Sequence, residues 1–123
     1  MKGRTAYRAI KDAFLIAALR GIIELAGRAP GRLFDFAIIG ASPVAFVRVR
    51  FAPHILLELG DIAREYREEI ARLRAVARDS AVSIELWIRS RHGSWRFFRI
   101  VAAGIIEMDR DGKPIPGKQA RAE

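Results

Sequence analysis

Cysteine is absent from the 123 residues, and histidine occurs only twice, as His54 and His92. The first absence excludes disulfides, thiol nucleophiles and every zinc site built on sulfur, and the second excludes a histidine-rich metal cluster. Long apolar runs are missing too. The most apolar stretch, Ala13 to Leu19, is followed by Arg20 and Glu24, well short of the ~20 residues a membrane span requires. It also lies behind a mixed-charge start that includes Asp12, unlike a secretion signal. A cytoplasmic location and no membrane partner are therefore expected. Neither a Walker loop nor a Rossmann glycine pattern occurs, so nucleotide cofactors have no basis in the sequence. Ser94 stands two residues from His92 without a Gly-x-Ser-x-Gly elbow, so nucleophilic catalysis lacks its usual parts.

Acidic residues are few beside the basic ones: 14 against 22, for a net charge of +8 and a pI near 11.0. Eighteen of the basic residues are arginine and four are lysine. Twenty alanines beside them also fit a GC-rich genome, and a high pI also serves solubility. Arginine, however, presents a planar fork of donors that matches phosphate in a bidentate manner, which lysine cannot do. An anionic partner is therefore expected, nucleic acid first. The length suits one domain, and a chain of this size buries roughly 65% of its unfolded surface. The 51% hydrophobic content agrees with a packed core.

Residues 5–27 read as a helix, apolar on nearly every side. Its polar positions Arg4, Arg8, Asp12, Arg20, Glu24 and Arg28 recur at multiples of four. Residues 33–39 and 44–51 read as a hairpin around Gly40–Pro43, with Val47, Val49 and Phe51 on one face and Phe46, Arg48 and Arg50 on the other. From Pro53 to Arg78, Ile55, Leu59, Ile62, Tyr66, Ile70, Leu73 and Val76 mark an amphipathic helix, with Gly60-Asp61 as a candidate break. A second hairpin joins residues 82–89 to 95–102, with Leu86 placed opposite Ile100, Ile88 opposite Phe98, and Trp87 beside Arg99 as a cation–π pair. Gly104 to Met108 reads as a short last strand, and 109–123 as a flexible tail after a globular domain spanning 1–108. The expected fold class is α/β, with α+β as the alternative: a mixed sheet flanked by two helices in the order α-β-β-α-β-β(-β).

That order, with Asp35 on the first hairpin strand and residues 48 and 50 on the second, resembles the PD-(D/E)xK nuclease superfamily, the restriction-endonuclease-like fold that includes archaeal Holliday-junction resolvases. In that family the aspartate and a Glu-x-Lys on the second strand hold Mg²⁺ and orient the attacking water. Here Asp35 matches the aspartate, Arg48 falls at the glutamate and Arg50 at the lysine. Two guanidinium groups then stand where a hard cation needs carboxylates. The resemblance therefore implies a degenerate site that binds DNA without cutting it, with Arg48 and Arg50 on phosphate and no cofactor. An active Mg²⁺-dependent nuclease would have to use Asp35 with Glu24, although Glu24 also suits an ion pair with Arg20 or Arg28. Resemblance to the resolvases, together with the apolar first helix, implies a homodimer.

The second hairpin supplies the other nucleic-acid candidates: Arg89, Arg91, His92, Trp95, Arg96 and Arg99, where basic groups alternate with aromatic ones. Guanidinium groups fix phosphates and indoles stack on exposed bases. Tryptophan and phenylalanine also simply pack sheets against helices. Arg64, Arg67, Arg72, Arg74 and Arg78 are interleaved with Asp61, Glu65, Glu68 and Glu69, the pattern of a solvated helix face. A protein-interaction or assembly module with incidental charge is the remaining reading.

Overall fold

Runs rich in β-branched and aromatic residues form strands, and segments with a period near 3.6 form the helices between them. The computed structural model describes residues 2–27, 29–40, 43–53, 58–77 and 81–121, the first six by backbone alone. Arg28, His54, Ile55, Arg78 and the middle of the Gly40–Pro43 turn lie outside the described residues, as does the side chain of Arg4. In chain order the elements are α1 (Lys2–Ala17), β1 (Ile22–Leu25), β2 (Phe36–Ile39), β3 (Val44–Phe51), α2 (Leu59–Glu65), α3 (Arg67–Arg74), β4 (Val82–Arg89), β5 (Trp95–Val101), β6 (Gly104–Met108) and β7 (Pro114–Arg121). The seven strands form one mixed sheet in the order β1-β2-β3-β4-β5-β6-β7. Only β3 and β4 are parallel. A parallel pair needs a crossover, and α2 with α3 supplies it. The protein is thus α/β, with three helices among the described residues where two were expected.

Each face of the sheet carries its own core. Ala9, Ala13, Ile16 and Ala17 of α1 meet Phe36, Ile38, Ala45, Val47, Val49, Trp87 and Phe97. The alanines let the helix approach closely, and the rings meet edge to face in a chain: Phe14 on Phe36 (5.4 Å), Phe36 on Trp87 (5.7 Å) and Trp87 on Phe97 (5.0 Å). Such pairs add about 0.5–1.5 kcal/mol each beyond burial. On the other face Ile62, Ile70 and Leu73 of α2 and α3 cover Ile84, Leu86, Ile88, Phe98, Ile100 and Ile105. β4 lies between both layers, so both of its sides are buried.

The helix expected over 5–27 stops at Ala17, and residues 22–25 become the edge strand β1. Leu19 and Arg20 donate to carbonyls three residues back, tightening the last turn. Arg20 then reaches Glu85 of β4, a tertiary bond that overrides the helical period. Within the described residues the helix expected over 53–78 is two helices, α2 and α3, and the break falls at Tyr66 (φ −106°, ψ 26°) rather than at Gly60-Asp61. The bend lets Ile62, Ile70 and Leu73 all reach the sheet.

In the second hairpin Ile84 faces Ile100 and Leu86 faces Phe98, two residues from the expected register. A two-residue shift keeps every side chain on its face. The turn sets it: Ser90 N–H donates to Ser94 O, and Ser90 Oγ accepts from the His92 and Ser94 N–H groups. Trp87 accordingly stands opposite Phe97, and its cation is Arg20, 5.9 Å from the ring, not Arg99.

Residues 114–121 are not a tail; they pair with β6 as β7. Asp109 Oδ1 accepts the N–H groups of Asp111 and Lys113, and Gly112 takes φ +85°, which closes the turn. Pro114 and Pro116 are tolerated because an edge strand needs only one side of its ladder.

Candidate functional site

The residues that carry the family resemblance do converge, on the α3 side of β2 and β3. Asp35 immediately precedes β2. Its backbone is held from both sides: its N–H donates to Val47 O (2.8 Å), and its carbonyl accepts from Ala26 N–H (3.1 Å). Both carboxylate oxygens are engaged. Oδ2 accepts the Val49 N–H at 2.7 Å, while Oδ1 meets Arg32 Nη2 at 3.1 Å and Arg48 Nη1 at 3.5 Å.

Arg48 and Arg50, two apart on β3, leave the same face, and Glu69 of α3 binds both. Its Oε1 lies 2.8 Å from Arg48 Nε and 2.7 Å from Arg50 Nη2. Arg72, one turn further along α3, donates from Nη2 to Gly31 O at 2.8 Å and ties the helix to the loop before Arg32. Four guanidinium groups thus gather around two carboxylates. The Arg48 side chain is 12% exposed, whereas Arg32 and Arg50 open at the rim, 34% and 36% exposed. Arg32 Nε is buried without a hydrogen-bond partner among the described residues. Burial pushes the Arg50 guanidinium below its ordinary range. Neighbouring Arg48 and Arg32 push the same way, against Glu69 and Asp35. An open cleft of about 310 Å³, lined by residues 64–69, borders Glu69 at the α2–α3 junction.

Glu24 does not join this site. It lies exposed on β1 opposite Ala37 and forms no ion pair with another described residue. The pairing with Arg20 considered for it is replaced, because Arg20 holds Glu85 at 2.8 and 2.9 Å. Glu85 is fully buried and also accepts the Trp87 Nε1–H at 2.9 Å.

The second-hairpin candidates separate. Arg89 and Trp95 face α1. Arg89 Nε lies 2.9 Å from Asp12 Oδ2, although the angle is too sharp for a hydrogen bond. Trp95 stacks on Phe97 at 6.1 Å and packs against the core. Arg96 lies on the opposite face, gripping Glu107 with Nε and Nη2 (2.9 and 2.8 Å) over the Phe98 ring. Arg91 and His92 are exposed on the turn, Arg99 is half-buried, and none of the three forms an ion pair among the described residues.

Sequence reasoning missed Glu69, Arg32 and Arg72 as members of the site. A signal for Glu69 was present: it stands three residues after Tyr66 and four before Leu73, inside the apolar stripe. Arg32, three residues before Asp35, carried only a local cue.

As a metal centre the cluster is ill-suited. Among the described residues no three His, Cys, Asp or Glu side chains converge. Asp35 has both oxygens committed to N–H donors, and Glu69, the other carboxylate of the cluster, is engaged by Arg48 and Arg50. As an anion site it is apt, since two rim guanidinium groups are braced from behind by carboxylates. Comparison with protein-family models, curated proteins and solved structures found no match.

Proposed function

We propose that this chain is a non-catalytic nucleic-acid-binding domain, DNA-binding first, whose arginines contact the phosphate backbone where nucleases of similar plan would hold a metal. The observation that carries the reading is the arginine surplus around Asp35 and Glu69, with Arg32 and Arg50 opening to solvent. The nuclease-like plan is supported by α1 preceding the β2–β3 hairpin, by Asp35 at the head of β2, and by residues 48 and 50 on one face of β3. Arg91 and Arg99 supply two further cations with no ion pair among the described residues, and His92 stands exposed on the turn beside Arg91. Arg48, Arg89 and Arg96 are chiefly braces for the fold. No cofactor is required by this reading.

Fluorescence anisotropy with labelled duplex DNA over a range of salt concentrations tests it. Affinity should fall log-linearly with salt, by a slope of about 0.9 per neutralised phosphate. The double change Arg32→Gln and Arg50→Gln should reduce that slope by about one to two. No binding at low salt, or a flat salt response, would exclude the reading. Incubation of linear and branched DNA with Mg²⁺ tests the nuclease alternative: cleavage abolished by Asp35→Asn would establish it.

A further inference from the structure

Among the described residues the sheet has two open edges, β1 and β7, and their sequences treat the exposure differently. β7 carries Pro114, Pro116, Gly117 and Lys118, and its pairing with β6 is irregular between Ile106 and Met108. These features blunt an edge against further pairing. β1, Ile22-Ile23-Glu24-Leu25, contains neither proline nor lysine and pairs regularly with β2. Large apolar side chains are exposed along it: Leu19 at 77% in the turn before the strand, Ile22 at 69% and Leu25 at 64%. Ile39, exposed on β2, stands directly opposite Ile22.

The backbone register says which groups are open. Ala26 N–H donates to Asp35 O, so by alternation Ile22 and Glu24 direct their backbone groups to β2, while Ile23 and Leu25 direct theirs to the free edge. We propose that β1 is a homodimer interface, on which a second copy of this chain adds its own β1 antiparallel and continues the sheet across a two-fold axis. A strand is self-complementary in this arrangement, because both partners offer the same unpaired donors and acceptors. Charge selects the register. Placing Glu24 opposite Glu24 would set like charges together, whereas centring the axis on Ile23 places Glu24 opposite Ile22 and Leu25 opposite Gly21. Covering this edge and its apolar side chains on both copies removes on the order of 1,000 Å², the lower bound of a specific interface. The proposal does not depend on nucleic-acid binding.

Sedimentation equilibrium of the full chain, without nucleic acid, should show a monomer–dimer equilibrium. Leu25→Pro deletes an N–H aimed at the free edge and leaves the β2 ladder intact, so it should weaken dimerisation by about tenfold or more with an unchanged circular-dichroism spectrum. The absence of native cysteine makes cross-linking a clean second test. The pair Ile22→Cys and Glu24→Cys should oxidise to a covalent dimer, whereas Glu24→Cys alone should not. A chain that stays monomeric at high concentration, a dimer indifferent to Leu25→Pro, or efficient cross-linking by Glu24→Cys alone would overturn the proposal.

Discussion

Arg20 grips Glu85 with both terminal nitrogens, at 2.8 and 2.9 Å, across 65 residues of sequence. The pair joins the end of α1 to the central strand of the sheet, and the carboxylate has no access to solvent. The hydrogen bonds from Arg20 and Trp87 satisfy Glu85, while Glu85, with Asp111 and Asp109 adding to it, holds the Arg20 guanidinium above its ordinary range despite burial. Such a pair contributes little relative to an apolar replacement, but breaking it on one side is costly. Arg20→Ala should therefore destabilise the fold by about 3–5 kcal/mol, read from urea unfolding. Arg20→Met with Glu85→Gln should recover much of the loss, because glutamine removes the buried charge and keeps an acceptor for the Trp87 Nε1–H.

Gly112 presses on the same guanidinium. It has φ +85°, and a Cβ there would fall 2.9 Å from Arg20 Cζ and Nη2. Because Glu85 fixes the guanidinium, Arg20 has little room to give way. Gly112→Ala should cost about 1–3 kcal/mol, and thermal melts should show it. In an Arg20→Ala background the penalty should shrink to the backbone strain alone.

Glu69 restrains two arginines that would otherwise be free for an anion. Glu69→Gln should lower the melting temperature, because Arg48, 12% exposed, keeps only the longer of its two ionic contacts, that with Asp35 at 3.5 Å. The same change should tighten DNA binding at low salt and steepen its salt dependence, as another guanidinium becomes available. Lowered stability with weaker binding would mean that the cluster does not face the nucleic acid.

Tyr66, at the helix break, has its phenol pushed above the ordinary value of 10.0, first by burial and then by Glu65, with Arg50 opposing. A raised folded-state value means that the unfolded chain releases its proton first. The stability contributed by the neutral phenol is full below about pH 10 and is lost as pH rises through the folded value. Tyr66→Phe should flatten the decline of stability in that alkaline window, as measured by denaturant unfolding at a series of pH values.

Local pattern determined much of this protein. The alternation of Val47, Val49, Arg48 and Arg50 assigned their faces correctly, and the apolar runs at 44–51 and 82–89 delimited β3 and β4. Side-chain period depends on neighbouring residues alone, so it survives into the fold. The same limit explains the failures. Residues 19–25 are apolar enough for helix or strand, and only the β2 edge and the Glu85 carboxylate decided between them. β7, with two prolines and few apolar residues, exists because β6 offers it a ladder.

The site divides along the same line. The hairpin read from the sequence put Asp35 on the strand beside that of Arg48 and Arg50, with the two arginines on one face. Only the tertiary structure brought Glu69, Arg72 and Gly31 to them, since crossover helices are positioned by packing against the sheet rather than by anything in their own period. Composition determined that the chain carries a surplus of arginine. Which guanidinium groups are spent on carboxylates, and which remain at the surface, was decided by burial and long-range pairing.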